Sequence, residues 1–199
     1  MFATTISNEE INELELDKFE GDLHLIETKE SLNEALKKLT KESVVGFDTE
    51  SKPAFTKGEY NHVSLIQIAT EQEAYLIRVN KTGITNQFVN FLESDSIIKV
   101  GVALRDDLID MRKLREHSPA GFVELNQLVK EIGIESNGLR KLTAIILGFR
   151  ISKGAQVSNW ENDTLTEKQM HYAATDAWVC IEMYNKLVRQ GYLETLAKS

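Results

Sequence analysis

The sequence predicts an α/β fold with a central mixed β-sheet flanked by α-helices, and three observations lead there. Val44-Val45-Gly46-Phe47 is a short apolar run with β-branched residues, the pattern of a strand buried on both faces. Residues 62–69 alternate apolar and polar side chains, and residues 74–79 follow the polar Thr70-Glu71-Gln72-Glu73, so the two form a hairpin continuing from the first run. Beyond the hairpin, helical and strand patterns alternate to the end of the chain.

Taken in order, Ser7-Asn8-Glu9-Glu10 and Ser31-Leu32-Asn33-Glu34 have the form of capping boxes, so a short helix is expected near each. Leu23-His24-Leu25-Ile26 between them reads as a strand. After the hairpin come a helix at 87–92, a strand at 97–100, a helix at 104–115 and a strand at 122–125. Helical pieces continue through residue 146, where Leu139, Leu142, Ile145 and Ile146 give one of them an apolar face. Thr164-Leu165-Thr166-Glu167 is a further capping box and opens the last, long helix.

A chain of 199 residues with 42% hydrophobic content can fill one sizeable core. Only two prolines and no repeat argue against an internal linker or a solenoid. No apolar run approaches the roughly 20 residues needed to span a bilayer. Met1-Phe2-Ala3 leads into polar, acidic sequence unlike a signal peptide, so a cytoplasmic chain with no membrane partner is expected. Cys180, among Trp178, Val179, Ile181 and Met183, reads as a buried inert thiol.

Three separated stretches carry acids at spacings suited to divalent metal ions. Side chains repeat every two residues along a strand, so Asp48 and Glu50 point to one side while Thr49 points away. An exposed acidic turn before Pro53 is the plainer alternative. In the helix at 104–115, the apolar stripe of Leu104, Leu108, Met111 and Leu114 includes Asp107 in its arc and leaves Asp106 outside. A carboxylate on the core side needs a partner, either a metal, directly or through water, or an arginine. Asp106 and Asp110 read as solvated positions. Tyr172 and Asp176 lie four residues apart and share a face of the last helix, about 40° apart. His171, five residues before Asp176, is rotated about 140° and points elsewhere. A half-buried aromatic with its hydroxyl in water is the alternative for Tyr172.

Val45-Gly46-Phe47-Asp48-Thr49-Glu50, then Lys99-Val100-Gly101-Val102 leading to Asp107, then Ser158-Asn159-Trp160 and Leu165-Thr166-Glu167 before Tyr172-Ala173-Ala174-Thr175-Asp176, resemble the motifs of the DEDDy 3′–5′ exonucleases. The similarity is strongest to the branch holding the Werner-syndrome exonuclease domain and RNase D. It extends over roughly residues 23–190. It implies a ribonuclease-H-like fold, with residues 1–22 an N-terminal extension bearing a short helix and 23–199 a single nuclease domain without the extra helical domains of RNase D. Members of this group use either a tyrosine four residues before the last aspartate or a histidine five before it, and Tyr172 takes the first place.

The implied activity is phosphodiester hydrolysis at nucleic acid 3′ ends, single-stranded or recessed, releasing nucleoside 5′-monophosphates. DNA is favoured by the Werner-like similarity and RNA by the RNase D similarity; a nucleic-acid-binding subunit with incidental turnover is the reading from another class. Two ions, Mg²⁺ or Mn²⁺, are implied, with Asp48 bridging both, Glu50 and Asp176 completing the first site, and Asp107 holding the second largely through water. Ser51 and Lys52 stand where related sequences often carry a bulky residue.

A net charge of −8 excludes reliance on broad electrostatic attraction to nucleic acid. Local cations could hold the backbone, namely Arg105, Arg112, Lys113, Arg140, Lys141, Arg150 and Lys153, with Phe55, Phe149 and Trp160 for stacking. For most of these a solvated face or the core is the alternative. Strong salt dependence and recruitment by a protein partner are expected.

Overall fold

The computed structural model describes residues 2–56 and 58–193. Among them the elements run α1 (Asn8–Glu13), β1 (Asp22–Ile26), α2 (Lys29–Leu39), β2 (Val44–Ser51), β3 (Val63–Ala69), β4 (Glu73–Ile77) and the short α3 (Val79–Thr82). They continue with α4 (Asn86–Leu92), β5 (Ile98–Gly101), α5 (Leu104–Leu114), β6 (Phe122–Glu124), α6 (Leu125–Glu131), α7 (Leu139–Leu147) and α8 (Glu167–Arg189).

The described strands form one sheet in the order β1-β4-β3-β2-β5-β6. The predicted hairpin is present, with β2–β3 and β3–β4 antiparallel, while β1–β4, β2–β5 and β5–β6 are parallel. The sheet is therefore mixed. β2 has a neighbour on each side, which explains its apolar start: Val45 and Phe47 are fully buried. The predicted 74–79 strand stops at Ile77, and the chain turns at Val79 into α3.

The two faces are covered by different helices. Phe47 packs with Leu32, Leu36, Phe88 and Met111, from α2, α4 and α5. The opposite face lies under α8, which closes over β2 because Gly46 presents no side chain to it. α7 packs against α8 through Leu142, Ile146, Met183 and Leu187.

Two helix starts differ from the sequence expectation. α2 begins at Thr28, which caps the Ser31 N–H and is answered by the Ser31 hydroxyl, so Ser31 lies inside the first turn. α8 begins with Thr166 as cap and Gln169 as its reciprocal partner, not with Thr164 and Glu167. That choice puts Leu165 just before the cap and Met170 one turn inside, both in the same apolar cluster, as in a hydrophobic staple. The Ser7–Glu10 box forms as expected.

The stretch read as an extension is packed onto the body. Ile11 and Phe19 are buried, the Thr4 carbonyl accepts from the Glu135 N–H, and Leu16 bridges to Arg150. Arg78, fully buried, pairs with Glu27 at 2.9 Å and donates to the carbonyls of Asn162 and Asp163, tying the approach to α8 onto the sheet. Among the described residues no helix is long and apolar enough to cross a membrane.

Candidate active site

The downstream half of β2 and the first half of α8 build the site. Asp48 and Glu50 repeat the facing of Gly46 along β2, toward α8, and Asp176 on α8 meets them. The carboxylate oxygens of Asp48, Glu50 and Asp176 come within 4.8 Å of one another. One turn earlier on the same face, the Tyr172 hydroxyl lies beside the Asp176 carboxylate. Its ring lies against the fully buried Trp160, with centroids 6.1 Å apart. The Asn159 carbonyl accepts from Gln169 at 3.3 Å, which holds the Ser158-Asn159-Trp160 stretch to the start of α8.

Asp107 stands apart from this group. The Thr49 side chain, on the other face of β2, donates to Asp107 Oδ1 at 2.8 Å. The partner of this half-buried carboxylate is thus a hydroxyl on the acid-bearing strand, from a residue whose two-residue phase shows only that it faces away from Asp48 and Glu50. Its helix phase is set from outside the helix: Ala103 caps α5 with φ 60° and offers no side chain, and Glu124 accepts from the Ala103 and Leu104 N–H groups at 3.0 and 2.8 Å. Asp106 is exposed, as its phase predicts. Asp110 is buried rather than solvated; it accepts from the Val63 N–H at 2.7 Å and lies 3.4 Å from His62. An apolar stripe cannot show that a strand's first amide needs an acceptor from the facing helix.

Burial and mutual repulsion shape the charges. Burial, then the charges of Asp176 and Asp107, pushes the Asp48 carboxyl well up. Glu50 is pushed to about 10 by burial and by Asp48. Asp176 rises to about 7 through burial, partly offset by the Tyr172 hydroxyl, and Asp107 to about 6 through burial, partly offset by Thr49. The Tyr172 phenol is also raised, first by burial and then by Asp176 and Glu50. Three crowded carboxylates that resist ionising are a donor set a hard divalent cation would satisfy, so the residues fit Mg²⁺ or Mn²⁺.

The acids line a cavity of about 460 Å³ that Arg140, Lys141 and Lys153 also line. A second cavity adjoins it across Ser152, Tyr172 and Asp176. His171 borders this second cavity and not the first, and its Nδ1 is buried with no hydrogen-bond partner among the described residues. Other sequence candidates are already engaged. Phe149 stacks on Trp178 at 5.9 Å, Trp160 is core, and Arg150 Nε donates to the Leu14 carbonyl. Phe55 is 79% exposed. Gln67 was not singled out by sequence; it pairs in register with Asp48, is fully buried, and its amide has no partner among the described residues.

An acid-bearing central strand crossed by an acid-bearing helix, on a mixed sheet of this order, defines a ribonuclease-H-like fold. The 3′–5′ exonuclease family matches residues 23–191, and the chain belongs to that family. It is 33% identical to the bifunctional 3′–5′ exonuclease/ATP-dependent helicase WRN of Mus musculus, over 77% of this chain and 11% of that protein. It is 29% identical to ribonuclease D of Gluconacetobacter diazotrophicus, over 87% of this chain and 45% of the relative. The chain thus spans less than half the length of these curated relatives. The crystal structure of the Aedes aegypti Nibbler EXO domain superposes with a TM-score of 0.79 at 26% identity, covering 87% of this chain and 92% of that one.

Proposed function

We propose that the chain removes nucleotides from the 3′ ends of DNA, single-stranded or recessed, as a metal-dependent 3′–5′ exonuclease, with residues 23–199 as the nuclease domain and 1–22 as its N-terminal extension. The observation that carries this reading is one cavity lined by Asp48, Glu50, Asp176 and Tyr172 together with Arg140, Lys141 and Lys153. Asp48, Glu50 and Asp176 would hold one ion and Asp48 with Asp107 a second, Mg²⁺ or Mn²⁺. Bound there, such ions would activate the attacking water and neutralise the leaving oxygen.

The chain's own residues do the rest. The Tyr172 phenol is raised above its ordinary value, so it stays protonated at neutral pH and orients the attacking water by a hydrogen bond without taking its proton. Trp160 holds the ring in place. The three cations lining the same cavity offset phosphate charge on an otherwise acidic chain, so binding weakens steeply with salt. Cys180 is no nucleophile: it is buried, burial raises its thiol, and its Sγ donates to the Asp176 carbonyl. Hydrolysis by water then leaves nucleoside 5′-monophosphates.

The similarity of the motifs to the Werner-syndrome branch favours DNA, and the relative named ribonuclease D supports RNA as the second reading. End-labelled single-stranded DNA, recessed duplex, RNA and a DNA circle, each with Mg²⁺, Mn²⁺ or chelator, test both. Stepwise loss from 3′ ends, abolished by chelator and sparing the circle, is expected. Undiminished hydrolysis in excess chelator, or rapid cutting of the circle, overturns the proposal; faster ladders on RNA select the second reading.

A further inference from the structure

Residues 14–19 lie outside the stretch matched by the exonuclease family, yet they grip two segments that border the acid cluster. The Asp17 N–H donates to the Arg150 carbonyl at 2.9 Å, and the Arg150 N–H donates to the Glu15 carbonyl at 2.8 Å. Arg150 Nε adds a bond to the Leu14 carbonyl at 2.9 Å. A little further on, Phe19 is buried against Trp178 with ring centroids 6.0 Å apart, and its N–H donates to Thr175 Oγ1 at 3.1 Å. The same hydroxyl donates to the His171 carbonyl at 2.6 Å, so one side chain joins the N-terminal segment to the turn of α8 that carries Tyr172 and Asp176.

The two gripped segments matter to the site for different reasons. Arg150 is followed by Ser152 and Lys153, which line the acid cavity, and Thr175 adjoins Asp176. Leu16 and Lys18 also face the second cavity, whose walls include Tyr172 and Asp176. Carboxyl oxygens of Asp48, Glu50 and Asp176 lie within 4.8 Å of one another, so the helix segment bearing Asp176 has to be held in place for the three to converge. The buried Phe19 N–H, in turn, needs an acceptor, and Thr175 supplies it.

We propose that residues 14–19 form a positioning strap that seats Tyr172 and Asp176 against Asp48 and Glu50, with the Phe19–Thr175 hydrogen bond as its attachment to α8. This rests on reading the acid cluster as a metal centre. Thr175 and Phe19 act through Asp176 and touch no substrate.

The test is calorimetric titration of the metal-free full chain with Mn²⁺, for wild type, Thr175→Val, Thr175→Ser and Phe19→Leu, with folding checked by circular dichroism. Thr175→Val removes both hydrogen bonds at constant shape and should weaken Mn²⁺ binding about tenfold, the scale of a lost outer support to a ligand. Thr175→Ser keeps both bonds and should bind as wild type does. In the exonuclease assay, Thr175→Val should lower kcat while KM for a DNA oligonucleotide holds. Phe19→Leu leaves α8 unaltered, should weaken Mn²⁺ in the same direction, and decides the matter if Thr175→Val does not fold. Wild-type Mn²⁺ affinity in the folded strap variants overturns the strap. Absence of Mn²⁺ binding by wild type overturns the metal reading itself and the strap with it, so the two failures are told apart.

Discussion

Gly46 and Ala177 lie so close that a Cβ on Gly46 would stand 1.9 Å from the Ala177 carbonyl oxygen. This contact sets the separation between the strand that carries Asp48 and Glu50 and the helix that carries Asp176. Gly46→Ala therefore cannot be absorbed by turning a side chain, because the atom it meets is backbone. We expect a loss of about 2 kcal/mol or more in denaturant unfolding, with exonuclease activity falling further than the folded fraction. A variant of wild-type stability and activity would show that α8 is not seated by this contact.

Asp107 and Asp106 should separate although they are neighbours. Asp107 is held by Thr49 across β2, while Asp106 is exposed. Asp107→Asn should lower the rate by about 10²-fold, and Asp106→Asn by no more than about several-fold. Thr49→Val, which frees the Asp107 carboxylate, should fall between them. Equal losses for the two aspartates, measured by steady-state kinetics with Mn²⁺, would contradict the roles assigned here.

Tyr172 and His171 make a second pair. Tyr172 lines the acid cavity with Asp176, whereas His171 borders the adjoining cavity. Tyr172→Phe should lose about 10²-fold in turnover with little change in stability, the scale of a lost positioning or proton-handling group. His171→Ala should keep near-normal rates. An inactive His171→Ala beside an active Tyr172→Phe would move the chain to the histidine branch of its family.

The acid cluster also predicts how stability follows pH. Native carboxyls at about 6 for Asp107, about 7 for Asp176 and about 10 for Glu50 lie above the roughly 4 of unfolded carboxyls. Below pH about 4 both states hold these protons. As pH rises past that, the unfolded chain releases protons that the native chain retains, so metal-free stability falls through pH about 7 and, for Glu50, on toward about 10. Glu73, held down near 2 chiefly by the Tyr75 hydroxyl and Lys38, acts in the opposite sense, but its effect is complete above pH about 5. The Tm in chelator should therefore be lower at pH 8 than at pH 5, by about several degrees, and Mn²⁺ should raise it more at pH 8. Asp176→Asn should flatten the slope; a chelated Tm that climbs from pH 5 to pH 8 would contradict the electrostatics of the cluster.

Periodicity alone determined much of this. The two-residue repeat of a strand put Asp48 and Glu50 on one side, and the helical repeat put Tyr172 with Asp176 and parted Asp107 from Asp106. The hairpin from β3 to β4 was legible for the same reason. Such facts follow from covalent geometry within a few residues. The capping box at the start of α8 is ambiguous in the sequence because two threonines offer the same local chemistry, and only the seat of Leu165 and Met170 in the core chooses between them.

What the tertiary structure decided is every distance between segments far apart in the chain. Thr49 meets Asp107, Asp110 is buried on the Val63 amide, Glu124 caps α5, and Phe19 reaches Thr175 across 156 positions. Arg140 and Lys153 join the acids in lining one cavity, whereas Arg150 is spent on the Leu14 carbonyl. No repeat in the sequence encodes these meetings, because they depend on how closely α8 and the sheet approach. That approach is set by packing, at contacts such as Gly46 on Ala177, where the absence of one methyl group lets the acids converge.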